Sequence, residues 1–186
     1  MNIEADNRKS KVMLHRLPSE KFHPNCVSER RRQGSGSTGI WACMTSKGLG
    51  LWHLFDGRLN QYEYVQILQS KLIPSILTHF PGDTITFQHD NAPCHRANSV
   101  QNWLKEKKLS VLTWPPNSPD LNPIENMWAW LDIQIGKAEI SSLNDLHLVI
   151  NETLRKIPIE IINNLFSSMP NRINECLKAR GGFTRY

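Results

Sequence analysis

The sequence lacks the features that mark secreted and membrane proteins. No apolar run reaches the roughly 18 residues that a membrane-spanning helix needs, and the polar, charged start of the chain predicts no signal peptide. The few cysteines include no Cys-x-x-Cys pair, so reduced thiols are expected. They are Cys26, Cys43, Cys94 and Cys176. No membrane partner is expected for this chain of 186 residues, which is long enough for one domain with its own core.

The chain also lacks a strong excess of either charge. It has 22 Lys and Arg against 17 Asp and Glu, a net charge of +5, which favours a polyanionic partner only mildly. Two basic clusters are candidates for contacts with DNA phosphates, although a solvated surface would also carry them. The first is Arg30, Arg31 and Arg32, and the second is Lys105, Lys107 and Lys108.

Hydrophobic periodicity predicts strands first, then alternating strands and helices, then helices alone. Strands are predicted at residues 11–17, 39–45, 48–56, 84–89 and 109–113. Helices are predicted at residues 60–77, 98–108, 123–135, 142–155, 158–168 and 170–179. The strand–helix–strand order over residues 84–113 implies a parallel pair with a right-handed crossover. The expected fold is a mixed α/β domain with a helical C-terminal cap.

Asp90 lies where a ligand would be expected in such a fold. It follows the predicted strand at residues 84–89, and α/β sheets open to ligands at the carboxyl ends of their strands. Its carboxylate is the kind of hard oxygen donor that Mg²⁺ prefers. A structural explanation is also available, because Asp followed by Asn before Ala92 and Pro93 favours an Asx turn.

Glu125 follows a proline-rich bend at residues 114–119 that would fix the direction of its side chain. It too has a structural explanation. Asn122 at the N-cap, Pro123 at the first helical position and Glu125 at the third are close to a capping box, in which Glu stabilises the helix start. Composition and periodicity leave both explanations open for both acids.

Two longer motifs distinguish between these explanations. Residues 88–95 read Gln-His-Asp-Asn-Ala-Pro-Cys-His, and residues 114–128 read Trp-Pro-Pro-Asn-Ser-Pro-Asp-Leu-Asn-Pro-Ile-Glu-Asn-Met-Trp. Together they resemble the Tc-type branch of the Tc/mariner superfamily of DDE transposases. The 34 residues between Asp90 and Glu125, and a final Glu rather than Asp, are similar to that branch as well. The resemblance continues through residues 22–24, 39–50, 56–60, 81–83 and 178–186, and so covers essentially the whole chain.

The resemblance implies a ribonuclease-H-like mixed sheet flanked by helices, with a role in DNA cleavage and strand transfer in the nucleus. Asp90 and Glu125 would be two of three catalytic, metal-binding carboxylates, with Mg²⁺ or Mn²⁺ as the cofactor. The partner would be double-stranded DNA, at transposon ends and at a TA target, and a homo-oligomer is left open. No covalent protein intermediate is needed, so Cys94 is expected to be a packed thiol rather than a nucleophile.

The sequence departs from the family's pattern near its N-terminus. The family's first catalytic Asp stands in a Ser-Asp-Glu context on the first strand, and this chain contains no such context. Asp6 is a weak replacement candidate in a hairpin loop, Glu4 is weaker, and Asp56 before Gly57 fits a turn. The family's helix-turn-helix DNA-binding region is also missing. Residues 1–186 are therefore expected to be one incomplete catalytic-core domain.

A missing first strand is expected to affect both stability and activity. That strand lies in the middle of a ribonuclease-H-like sheet, so its absence would expose ladder groups on the strands at either side. We expect a marginally stable fold unless those two strands pair directly. With two carboxylates, the chain alone is expected to be inactive. One alternative is a non-catalytic DNA- or protein-binding module derived from a transposase, and another is a relic without a cellular role.

Overall fold

Five short strands and eight α-helices are defined in the computed structural model, which describes residues 2–4, 37–115, 118–182 and 184. The strands are β1 (Asn2–Glu4), β2 (Ser37–Thr45), β3 (Gly48–Asp56), β4 (Thr86–Phe87) and β5 (Ser110–Val111). The helices are α1 (Gln61–Ile67), α2 (Ile73–His79), α3 (Pro93–Arg96), α4 (Asn98–Glu106), α5 (Pro123–Ile135), α6 (Leu143–Arg155), α7 (Ile159–Ser167) and α8 (Met169–Lys178).

The first sheet is antiparallel, in the order β1-β2-β3. A tight turn joins β2 to β3, where Thr45 pairs with Gly48, and Gly48 adopts a φ of 137° that other residues rarely reach. The β1 ladder begins at Glu4 opposite Ser37 and ends at Asn2 opposite Gly39. The strands predicted at residues 39–45 and 48–56 are confirmed, whereas the one predicted at residues 11–17 lies outside the described residues.

The second sheet contains only β4 and β5, which pair in parallel. Thr86 lies opposite Ser110 and Phe87 opposite Val111, and the Leu112 amide donates a further bond to the Phe87 carbonyl. The parallel pairing is confirmed, but both strands are shorter than predicted, since the ladder covers only two residues on each strand. Among the described residues, no ladder joins β4 to the first sheet.

Alternation along β2 places the first sheet between two helical layers. Ile40 and Ala42 pack into one core with α5 and α6, whereas Trp41 and Cys43 pack against the second core on the other face. Fully buried apolar residues from the helices on each side fill these cores, and each contributes about 1.5–3 kcal/mol. In the first they include Met127, Leu131, Leu146, Ile150 and Leu154; in the second they include Tyr64, Leu68, Val100 and Leu104.

The helix predicted at residues 60–77 forms, but it is divided. A π-helical segment (Leu68–Leu72) separates α1 from α2, and the Ile73 amide bonds to the Leu68 carbonyl across the wider turn. Pro74 has no amide hydrogen and cannot continue the α-helical ladder, which accounts for the change of register here. Asn60 caps α1 through its side chain, as expected, and Glu63 completes a capping box.

The helices after α3 agree with the sequence-based predictions to within two residues at either end. In the parts of the chain that the structure describes, no helix has the length and apolar character of a membrane span.

Candidate active site

Asp90 stands three residues after β4, at the carboxyl end of the parallel pair. Its Oδ1 accepts a 2.9 Å hydrogen bond from the Ala92 amide, which is the Asx turn expected for this sequence. Next to it, Asn91 donates through Nδ2 to the Trp114 carbonyl at 2.9 Å and so ties the loop after β4 to the loop after β5. The Asx turn therefore fixes Asp90 at the sheet opening, and the two explanations of this residue are compatible.

A second hydrogen bond reaches the same oxygen of Asp90 from His95. The Nδ1 atom of His95 lies 2.6 Å from Oδ1 of Asp90. This bond, the Ala92 amide and the nearby imidazoles hold the pKa of Asp90 at about 2, below its ordinary 3.8. Among the described residues, no hydrogen bond reaches Oδ2, so Asp90 is an ionised carboxylate held through one oxygen.

The His95 ring belongs to an aromatic cluster that the sequence reasoning missed. Tyr64, which is fully buried on α1, stacks on His95 with ring centroids 4.0 Å apart, and its hydroxyl lies 3.0 Å from Nδ1 of His89. The His89 ring is nearly parallel to that of His95, at 5.2 Å. Burial, with His95 nearby, lowers the pKa of His89 to about 4. The available signal was the presence of both histidines in the same motif as Asp90.

Glu125 lies in the first turn of α5, which is anchored in the first core by the fully buried side chains of Met127 and Leu131. The capping box that offered a structural explanation of Glu125 is not formed. Asn122 occupies the N-cap position but makes no side-chain cap bond. Its Nδ2 instead donates to Oε1 of Glu125 at 3.3 Å, and its Oδ1 accepts from Nε2 of Gln88 at 3.4 Å. The amide of Asn122 is thus engaged on both sides.

These contacts connect the two acids, because Gln88 precedes Asp90 by two residues. Both acids line a cavity of about 760 Å³, together with Trp41, Thr86 and other residues of β2 and β4. Partial burial raises the pKa of Glu125 above its ordinary value, and the charge of Asp90 raises it further. The structure therefore brings Asp90 and Glu125 to one site.

A buried arginine supports the segment that leads to Glu125. Arg172 on α8 is 2% exposed and donates to the Asp120 carbonyl at 2.9 Å and to Oγ of Ser168 at 2.8 Å. Thr184 donates to Oδ2 of Asp120 at 2.9 Å. The C-terminal part of the chain thereby holds the 3₁₀ turn Pro119–Leu121, which directly precedes Asn122.

The remaining predicted residues that the structure describes are not among those that line this cavity. Lys105, Lys107 and Lys108 lie exposed at the end of α4. Asp56 is exposed before Gly57, which has a φ of 71° and makes a turn there, as expected. Burial raises the pKa of the half-buried Cys94 thiol, in line with an inert packed thiol. The predictions for Arg30, Arg31, Arg32, Asp6 and the Glu4 side chain lie outside the described residues.

The donor chemistry fits a hard divalent cation in part. Asp90 and Glu125 each use one carboxylate oxygen for hydrogen bonds from the protein, which leaves the other oxygen for a cation. A site for two ions needs more carboxylates than these two. Within the described residues, no group of three or more His, Cys, Asp or Glu side chains could hold a metal.

Comparison with known proteins gives matches over most of the chain. Residues 10–147 match the family described as DDE superfamily endonuclease. The Tcb1 transposase of Caenorhabditis briggsae is 30% identical over 173 residues, which are 93% of this chain and 63% of that protein. The Tc3 transposase of Caenorhabditis elegans is 32% identical over 163 residues, 86% of this chain and 49% of that protein. The chain thus spans about half to two thirds of these relatives.

Solved structures share the fold. The catalytic domain of the Mos1 mariner transposase superposes with a TM-score of 0.74 and 22% identity, over 81% of this chain and 77% of that domain. A pre-cleavage Mos1 transpososome gives a TM-score of 0.81 and 21% identity, over 100% of this chain and 55% of that one. Other structures of the same catalytic domain contain Mn or Mg. The mixed α/β architecture of this chain is therefore ribonuclease-H-like, as expected.

Proposed function

This chain belongs to the DDE superfamily endonucleases, and we propose that it is the catalytic-core part of a Tc-type transposase that cleaves and transfers DNA strands. One observation carries the proposal. The acids of two separate motifs, Asp90 and Glu125, line the same cavity, and Asp90 is close enough to raise the pKa of Glu125. A turn or a helix cap requires no such convergence. The names of the relatives, which are transposases, support the same function.

Asp90 and Glu125 would hold Mg²⁺ or Mn²⁺ through the oxygens that the protein leaves free. When bound, such an ion neutralises charge on the phosphate and activates the attacking oxygen. The contribution of the chain is to keep the two carboxylates in place. His95 and the Ala92 amide hold Asp90, and Asn122 holds Glu125.

Double-stranded DNA would be the partner, in the nucleus. Structures of Mos1 include a paired-end complex with a left transposon end, which supports transposon-end DNA as the ligand here. The exposed Lys105, Lys107 and Lys108 offer positive charge for its phosphates. The same lysines favour the second candidate function, a non-catalytic DNA-binding module, because they are not among the residues that line the cavity.

We further propose that the sheet lacks its central first strand and that the chain alone is inactive. Residues of both β2 and β4 line the cavity, and no ladder joins these strands in the described residues. The β1 ladder stops at Gly39, whereas β2 continues to Thr45 along the cavity. An extended segment that carries a third carboxylate would fit there. A cooperative, high-temperature unfolding of the chain would argue against this incomplete sheet.

A titration with Mn²⁺, followed by electron paramagnetic resonance, tests the metal assignment. We expect weak binding that Asp90→Ala and Glu125→Ala each abolish, and that Glu152→Ala, at an exposed acid on α6, leaves unchanged. Equal Mn²⁺ affinity in all four proteins would refute the assignment. The same proteins are then incubated with Mn²⁺ and duplex DNA. Nicking by the unaltered chain that is lost in Glu125→Ala would refute the proposed inactivity.

A further inference from the structure

The histidine that contacts Asp90 is held more firmly than its exposed partner. The His95 side chain is 15% exposed, whereas that of Asp90 is 59% exposed. Tyr64 packs on the His95 ring at 4.0 Å with an interplanar angle of 27°, and His89 lies 5.2 Å away at 12°. The His95 carbonyl also accepts a 2.9 Å bond from Nε2 of Gln101 on α4. Both the ring and the backbone of His95 are therefore fixed by neighbouring residues.

The Tyr64 end of this cluster is fixed as well. Tyr64 is fully buried in the second core, and its hydroxyl bonds to Nδ1 of His89. An exposed carboxylate can rotate among several side-chain rotamers, and losing that freedom has an entropic cost. The 2.6 Å bond from His95 to Oδ1 selects one of these rotamers, because the His95 ring packs on the fully buried Tyr64 and its direction is thereby set. Both the neutral ring with hydrogen on Nδ1 and the imidazolium can donate this bond.

We propose that His95 is a positioning residue. Tyr64 holds the His95 ring in place, and His95 in turn holds Asp90 so that Oδ2 of Asp90 faces the cavity that Asp90 and Glu125 both line. The inference rests on the proposed metal role of Asp90 and adds the residues that make it effective. His95 does not bind the ion in this scheme. It acts through Asp90, as residues that bond to metal ligands commonly do.

Substitutions can separate the ring of His95 from its donor. His95→Phe keeps a ring to stack on Tyr64 but has no donor, whereas His95→Asn places an amide donor near the position of Nδ1. Tyr64→Phe keeps the stack, and Tyr64→Leu removes it. His79→Phe is the matched control, because Nδ1 of His79 also makes a side-chain bond, to Thr45 at 2.9 Å, away from Asp90.

Two measurements on the full chain decide the matter. In Mn²⁺ titrations we expect His95→Phe and Tyr64→Leu to weaken binding about 10- to 100-fold, and Tyr64→Phe, His95→Asn and His79→Phe to stay closer to the unaltered protein. Without metal, three-bond NMR couplings to Cγ of Asp90 report its rotamer. One rotamer is expected in the unaltered protein, and averaged couplings are expected in His95→Phe and Tyr64→Leu.

The outcomes separate this inference from the proposed function. Unchanged Mn²⁺ affinity and a single Asp90 rotamer in a folded His95→Phe protein would overturn the positioning role. If Asp90→Asn does not change Mn²⁺ affinity, the proposed metal role fails, and the Asp90 couplings alone then confirm or overturn the action of His95. Thermal unfolding of each variant identifies any that do not fold, and His95→Asn restores the donor if His95→Phe is among them.

Discussion

Asn122 donates a hydrogen bond from Nδ2 to Oε1 of Glu125 across 3.3 Å instead of capping the helix that it precedes. The helix can do without that cap, because Pro123 has no amide hydrogen and the Glu125 amide bonds to the Asn122 carbonyl at 3.2 Å. Asn60, in contrast, uses its side chain to cap α1. The same residue type at the same helical position thus stabilises a helix in one place and orients a carboxylate in the other.

Asn122→Ser should separate these two roles. Serine is a good N-cap residue, so the free energy of unfolding should change by no more than about 1 kcal/mol. Glu125 loses its donor, and Mn²⁺ affinity should fall about 10-fold or more. In the control, Asn60→Ala should lower the free energy of unfolding by about 1 kcal/mol and leave Mn²⁺ affinity unchanged. Urea unfolding and Mn²⁺ titration measure both quantities; equal Mn²⁺ affinity in Asn122→Ser and the unaltered chain would contradict the prediction.

The two acids should titrate separately. We expect the Asp90 carboxyl to have a pKa of about 2 and Glu125 to have a pKa above its ordinary 4.5. A cation needs both carboxylates ionised, so Mn²⁺ affinity should decline as the pH falls through the pKa of Glu125, while Asp90 is still charged. Carbon-13 NMR of the carboxyl groups measures both values. Asp90→Asn should lower the pKa of Glu125, because it removes a neighbouring negative charge; a rise would count against the shared site.

Arg172→Ala should destabilise the fold. It leaves the Asp120 carbonyl and the Ser168 hydroxyl without a charged donor and opens a space beneath the 3₁₀ turn. We expect a loss of about 2–4 kcal/mol in the free energy of unfolding, since hydrogen bonds from charged groups contribute about 1.5–3 kcal/mol each. Arg155→Ala, at an exposed position on α6, is the control and should change stability by less than about 0.5 kcal/mol. Similar urea midpoints for the two variants would disprove the supporting role of Arg172.

Replacing Lys105, Lys107 and Lys108 with Gln should weaken binding to duplex DNA at every sequence. If each lysine contacts a phosphate, the slope of log K against log salt should become shallower by about 0.9 per lysine. The control replaces Lys137, Lys156 and Lys178, which lie elsewhere and contact neighbouring side chains, and it makes the same change in net charge. Fluorescence anisotropy at several salt concentrations gives the slopes. Equal slopes in both triple variants would show that Lys105, Lys107 and Lys108 contribute no more to DNA binding than the control lysines.

Most helices and strands could be predicted from the sequence, because the spacing of apolar residues along the chain indicates which segments are helical and which are extended. The apolar residues of α5 recur at helical spacing, and the structure has that helix at the predicted residues 123–135. The strands predicted at residues 39–45 and 48–56 form as well. Strand ends were less predictable, since β4 extends only as far as β5 pairs with it. The interruption by Leu68–Leu72 was also missed, because helical periodicity does not register a change from α to π bonding.

For the site, the sequence by itself placed the two acids in two separate motifs and determined the backbone turn next to Asp90. Asp90 makes its Asx turn with Ala92, a contact between residues two apart in the chain. Only the tertiary structure decided which side chains would hold these acids. The ring that packs on His95 belongs to Tyr64, 31 positions earlier, and the amide that donates to Asn122 belongs to Gln88, just after β4. Such contacts depend on how helices and strands pack in space, and a pattern of neighbours along the chain contains no record of that packing.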